Sequence, residues 1–106
     1  MKYQVIEDNG GGLHLYVFSG PKCVWAHTGY EYSLGNLSAD MDGLEAGDDP
    51  RRDWEGGMDD PQETYENTTG YEYGWRVVAE GGKGRRKLHK GKMGRAAQME
   101  FNVKEK

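Results

Sequence analysis

The chain predicts an α+β fold: an antiparallel sheet of about five strands with one or two short helices carried in an acidic insert. Three observations lead there. Seventeen glycines against three prolines in 106 residues provide many tight turns, which suit short strands better than a helical bundle. Apolar residues alternate with polar ones at both ends of the sequence, the period of a half-buried strand. Between those ends lies a stretch rich in Asp, broken twice by Asp-Asp-Pro, the signature of a helix start rather than of a strand. The length suits one domain spanning residues 1–106, and three Trp, seven Tyr and two Phe supply the bulky apolar area that disordered chains lack.

The first strand is expected from Tyr3 to Glu7, followed by Asn9-Gly10, a pair suited to the positive φ of a primed hairpin turn. Leu13 to Phe18 forms the second strand, and Ser19-Gly20-Pro21-Lys22 turns the chain. A loop of either two or four residues pairs Phe18 with Cys23. That register sets Tyr16 opposite Trp25 and His14 opposite His27, with Leu13, Leu15 and Val17 meeting Thr28, Ala26 and Val24 on the other side. One face is then aliphatic and the other aromatic with a histidine pair, although a one-residue slip among Gly10-Gly11-Gly12 would move Tyr3 and Val5 between faces. The third strand is expected to continue through Tyr30 and Tyr32.

Asn36 or Ser38 is placed to cap a helix whose apolar residues Leu37, Met41 and Leu44 share one stripe, with Gly47 to stop it and Gly43 weakening its middle. DDPRRDWEG (48–56) and DDPQETYEN (59–67) then repeat one pattern of capping Asp, Pro, aromatic and Glu. They predict a helical turn anchored by Trp54 and a short helix anchored by Tyr65, with Asp60 and Glu63 as a capping pair. A fourth strand is expected over Tyr73 to Glu80, with Tyr71, Tyr73, Trp75, Val77 and Ala79 on one face. Gly81-Gly82-Lys83-Gly84 opens a basic loop, and a last strand points Ala97, Met99, Phe101 and Val103 inward.

Charge is strongly segregated along the chain. Residues 38–66 hold Asp40, Asp42, Glu45, Asp48, Asp49, Asp53, Glu55, Asp59, Asp60, Glu63 and Glu66 against only Arg51 and Arg52. Residues 81–95 hold Lys83, Arg85, Arg86, Lys87, Lys90, Lys92 and Arg95 and no acid. The pentapeptide TGYEY occurs at 28–32 and again at 69–73, once ending a strand and once beginning one. Were those two strands neighbours, both copies would meet at one end of the sheet beneath the acidic insert, with the basic loop at the other end.

Catalytic and cofactor chemistry find no support. Cys23 and His27 on one strand face lie about 13 Å apart, too far to share a metal ion, and a His14–His27 pair supplies only two ligands. Residues 38–49 imitate the spacing of a calcium loop, but Ser38 takes the first ligand place and Leu37, Met41 and Leu44 demand a helix there. GGKGRRKLHKGK lacks the phosphate-loop spacing of glycines, lysine and hydroxyl residue, though its cations suit a nucleic-acid backbone. No cofactor, metal or catalytic residue is therefore assigned. With one cysteine, no apolar leader in MKYQVIEDNG and no membrane span, a cytoplasmic location is expected and the sequons at Asn36 and Asn67 carry no meaning.

KYQVIEDNGGGLHLYVF, GDDPRRDWEGG and YEYGW resemble small uncharacterised proteins carried by phages and mobile elements of anaerobic bacteria. The style is similar to compact acidic anti-CRISPR and other anti-defence proteins, although the basic stretch departs from a uniformly acidic, DNA-mimicking surface. The resemblance implies a non-enzymatic inhibitor or modulator of a host defence protein. The residues point the same way, to protein binding by Tyr30, Tyr32, Asp48, Asp49, Trp54, Asp59, Asp60, Tyr71 and Tyr73, since aromatics amid charge anchor protein recognition and acids suit a basic partner, including one that binds nucleic acid. The alternative is a nucleic-acid-associated accessory protein using Lys83, Arg85, Arg86, Lys87, Lys90, Lys92 and Arg95. Either a monomer or a homodimer, paired through an edge strand or through opposite charges, is compatible with the sequence.

Overall fold

Alternating apolar residues and glycine-bearing turns build the sheet. The computed structural model describes residues 1–29, 34–71 and 74–89. Strands β1 (Lys2–Asp8), β2 (Leu13–Ser19), β3 (Lys22–Thr28), β4 (Trp75–Gly82) and β5 (Arg85–Leu88) pair antiparallel in the order β3-β2-β1-β4-β5. Between β3 and β4 come α1 (Leu34–Glu45), the single turn α2 (Pro50–Asp53) and α3 (Pro61–Thr69), so the fold is α+β with two helices and the expected helical turn between them. The fifth strand is also a different segment: β4 runs on to Gly82 and β5 is made from the first half of the expected basic loop. The strand expected around Ala97 to Val103 lies outside the described residues.

Both of the first two hairpins close on glycine. In the first, only Gly11 takes positive φ (87°), so the expected primed Asn9-Gly10 turn is not formed. The Asp8 carboxylate explains the difference. It accepts the N–H groups of Gly10 and Gly12 at 2.9 and 2.8 Å, and wraps the turn round itself. In the second, Ser19 pairs with Lys22 across Gly20 (φ 62°) and Pro21. A positive-φ glycine followed by a ring-fixed negative φ is the pattern of a type II′ turn.

Two β-bulges redistribute the side chains. Phe18 pairs with Cys23 as the turn requires, but Val17 pairs with Trp25, which leaves Val24 unpaired. Beyond it Tyr16 faces Ala26, Leu15 faces His27 and His14 faces Thr28, so the expected His14–His27 pair does not form. The bulge lets the small residues Cys23 and Ala26 share one face while bulky Trp25 turns to the other. On the opposite side of the sheet Val5 pairs with Ala79 and Ile6 with Val77, leaving Val78 as the second bulge. Trp75 and Val77 therefore share a face, and Ala79 leaves the row it was expected to join.

Each face of the sheet meets a helix. Tyr3, Val5, Leu13, Leu15, Val17, Val78 and Ala79 pack with Leu37, Met41 and Leu44 of α1. Ile6, Tyr16, Cys23 and Ala26 pack with Tyr65 of α3 and with Phe18, Trp75 and Val77. The α1 stripe forms as its spacing predicts, with Leu37 and Met41 fully buried. The helix begins at Leu34, so Asn36 and Ser38 lie inside it rather than capping it. It ends as expected at Gly47 (φ 106°), where the Asp48 N–H donates to the Gly43 carbonyl and the Gly47 N–H to that of Leu44, a Schellman stop. Asp49 and Asp60 each accept a backbone N–H, from Arg51 and Glu63 respectively, and each precedes a proline, as the doubled Asp-Asp-Pro predicts.

The path of the helices carries the charge to unexpected places. From β3, α1 crosses one face until the Gly84 N–H of the β4–β5 hairpin donates to the Glu45 carbonyl (2.8 Å). The chain then returns to β3, where the Met58 N–H donates to the Ala26 carbonyl (2.9 Å). Gln62 in α3 accepts the Cys23 N–H (2.7 Å) on the far side. Residues 34–69 thus wrap the β3 edge and satisfy backbone groups that an edge strand would otherwise present to other chains. β3 and β4 are not neighbours, since β2 and β1 lie between them. The basic hairpin sits beside the end of α1, not at a pole opposite the acids.

Candidate functional site

The acids expected to form a recognition surface divide into those that hold the fold and those that face outward. Asp48 accepts the Trp54 indole N–H at 3.1 Å and presses so close to Gly43 that a side chain there would collide with it. Asp49 accepts both Nε and Nη2 of Arg51 at 3.1 Å in addition to capping α2. Asp53 accepts the Asp49 N–H and both Nε and Nη2 of Arg52. Hydrogen bonds from Arg51 and Arg52 hold the Asp49 and Asp53 carboxyls below the usual carboxylate range. Trp54 packs edge-on against Trp25 (centroids 5.7 Å apart, 82°) and is half-buried, so it supports the fold rather than projecting from it.

What faces outward is the crossing at the β3 edge. Residues 55–60 form an unbroken exposed stretch, followed by exposed Glu63 and Glu66 on α3. Exposed Glu55, Asp59, Asp60 and Glu63 flank Met58 in sequence, and its 42% exposure marks it as one of the few large apolar side chains left in solvent among the described residues. The local sequence explains the crossing. Gly56 and Gly57 take φ of 85° and 95°, and Gly57 lies so close to the Trp25 ring that a Cβ would come within 2.9 Å of it. Sequence reasoning missed Met58; the signal was Gly-Gly-Met set between the two Asp-Asp-Pro motifs.

The tyrosines are not gathered there. Thr28 and Trp75 do lie at the same end of the sheet, opposite His14 and Asp8, whereas the crossing is tied to β3 at Ala26 and Trp54 packs on Trp25. Tyr71 is 70% exposed and its carbonyl accepts the Trp75 indole N–H (2.7 Å). Tyr30, Tyr32 and Tyr73 lie outside the described residues. Beside Tyr71, the Asp8 carboxylate takes the His14 Nε2 (2.9 Å), and the imidazole stacks parallel to the Tyr16 ring (6.0 Å, 3°). Burial works to raise the Asp8 carboxyl, but hydrogen bonds from His14 and from the Gly12 and Gly10 N–H groups outweigh it and hold it low.

The basic residues are likewise split. Arg86 is nearly buried and bridges α1, with Nη2 on Asp42 (2.8 Å) and Nε on Glu45 (2.7 Å). Glu45 also accepts the Tyr3 hydroxyl. Burial, and then this hydrogen bond to Glu45, push the Tyr3 phenol well above its ordinary value. Lys83 at the hairpin tip lies against Gly47. Arg85 and Lys87 are exposed, and Lys90, Lys92 and Arg95 lie outside the described residues.

Among the described residues no three His, Cys, Asp or Glu side chains are grouped to hold a metal ion, and no helix is long and apolar enough to cross a membrane. Cys23 is buried, donates to the Trp25 carbonyl (3.3 Å) and has its thiol pKa raised by that burial, the reverse of a reactive thiolate. No family model, curated protein or solved structure matches the chain.

Proposed function

We propose that this is a non-enzymatic binding protein, cytoplasmic and of phage or mobile-element origin, that inhibits or modulates a host defence protein. The acidic insert would act through the strip at the β3 edge, where Met58 is the apolar anchor and Glu55, Asp59, Asp60 and Glu63 are its charged rim. The observation that carries the reading is the strip itself. An exposed large apolar side chain flanked along the chain by exposed carboxylates, on a backbone tied to β3, combines an anchor with charge complementarity to a basic partner, such as a nucleic-acid-binding protein. Asp48 and Asp49 act indirectly, by fixing Trp54 and α2 and so the start of the crossing.

The test uses outward-facing acids, because reversing the capping residues would disturb the helices. The double variant Glu55→Lys, Asp59→Lys is expected to keep its circular dichroism spectrum and to lose the host protein that the native chain captures. Capture of the same protein by both forms would eliminate the strip as the interface. A second reading, nucleic-acid association through the basic hairpin, is favoured by the exposure of Arg85 and Lys87, which Arg86 does not share.

A further inference from the structure

Half of the α3 face has no helix on it among the described residues, and the strand register says what lies there. Residues paired across neighbouring strands project to the same side. One row therefore reads Phe18, Lys2, Gly82, Arg85, and the next reads Tyr16, Gln4, Glu80, Lys87. α3 covers the β2 end of both rows, where Tyr65 meets Phe18 edge-on at 4.9 Å and Tyr16 at 5.1 Å. Beyond Tyr65 the rows run out over β1, β4 and β5 and line a hollow of about 520 Å³, the size of a small-ligand site.

The hollow has two chemistries side by side. Its inner wall is aromatic, made by Phe18 and Tyr65. The Tyr65 hydroxyl donates to the Gln4 carbonyl oxygen (3.3 Å), so the Gln4 amide keeps both of its N–H donors. Its outer wall is cationic. Among the described residues no carboxylate pairs with Lys2, Arg85 or Lys87, and the one acid in the rows, Glu80, is turned to His89 at 2.7 Å. Gly82 puts no side chain between Lys2 and Arg85. The exposed acidic strip supplies none of the lining, and Arg86 borders the hollow with its guanidinium held by Asp42 and Glu45 of α1.

We infer that this hollow binds a phosphate ester carrying a flat ring, either a free nucleotide or the exposed end of a single nucleic-acid strand. Lysine and the arginine fork suit phosphate oxygens, and the aromatic wall gives a base a surface to stack on. Glu80 lying next to Lys87 and the acidity of the rest of the chain favour a short ligand over a long duplex. The inference shares no residue with the acidic strip, so either can fail without the other.

Binding is measured by titration of the full chain at about 50 mM salt, where phosphate contacts are least screened. The probes are ATP, tripolyphosphate, a fluorescent single-stranded oligothymidylate and polyglutamate. Binding of ATP supports a free nucleotide, binding of the oligothymidylate alone supports a strand end, and either supports the site. Tripolyphosphate, which has no ring, is expected to bind at least ~10-fold more weakly than the ringed ligand, the order of one stacking contact. Lys87→Glu is expected to weaken the ringed ligand ~10-fold or more, whereas Lys83→Glu, with the same change in net charge on the other side of the hairpin, changes it less than ~2-fold. The inference is overturned if neither ringed ligand binds, if polyglutamate or tripolyphosphate binds as well as they do, or if the two lysine variants weaken binding equally.

Discussion

On the α1 face three helix residues at helical spacing seal an aliphatic floor, and the charged groups above it are used up within the fold, Arg86 by Asp42 and Glu45 and Glu45 again by Tyr3. On the α3 face a shorter helix with no buried residue covers part of an aromatic floor, and no carboxylate among the described residues pairs with Lys2, Arg85 or Lys87. The difference lies in where the charges end up. The sequence separates acids from bases along the chain, but folding cancels a large part of that separation on one face. Among the described residues it leaves an acidic strip at the β3 edge and a basic hollow toward β5.

The largest effect that would break this contrast is expected at the seal. Leu37→Ala empties a fully buried position and is expected to cost about 2–5 kcal/mol in urea unfolding, the range for large-to-small core changes. Lys87→Ala on the open half should stay within about 0.5 kcal/mol, as exposed substitutions do. Comparable losses at the two positions would mean that the α3 face is as closed as the other.

A smaller effect is expected at the network above the seal. Tyr3→Phe removes the hydroxyl donated to Glu45 and is expected to cost about 0.5–1.5 kcal/mol near neutral pH. The sign of its pH dependence follows from the raised phenol pKa. In the unfolded chain the phenol ionises near pH 10, so the folded state's preference for neutral Tyr3 is fully present below that pH and is lost as pH rises above it. Stability measured from about pH 9 to 11 should therefore fall more steeply for the native chain than for Tyr3→Phe. Tyr16 and Tyr65, also raised by burial, leave the variant with a residual slope. Parallel curves would place Tyr3 outside the network.

Much of the fold was legible because local rules decided it. Leu37, Met41 and Leu44 sit at helical spacing, Gly47 stops the helix, and each Asp before Pro starts one; none of these depends on the rest of the chain. The two bulges were not legible. Val24 and Val78 are ordinary strand residues, and the contacts made at the Val24 bulge are distant in sequence: Trp25 packs on Trp54, and Cys23 and Ala26 make room for Tyr65 of α3. The histidine pair failed for that reason. The order of strands was hidden too, because a connection as long as residues 29–74 does not dictate which edge of the β1–β3 meander β4 will join.

The candidate site was legible in composition and not in position. The acidic stretch was evident, yet which acids cap helices and which face solvent depends on how Gly56 and Gly57 carry the chain past Trp25. The same holds for the basic stretch, where alternation along β5 sends Arg86 to α1 and its neighbours Arg85 and Lys87 to the other face.

In the proposed function, recognition rests on an apolar anchor within the acidic strip and not on negative charge alone. The most direct measurement is the affinity of the captured host protein for a Met58→Asp variant. This substitution keeps the backbone bond to Ala26 and adds one more negative charge to the strip. The account predicts binding weakened by ~10-fold or more, as for loss of a central interface anchor. Unchanged or tighter binding would contradict it.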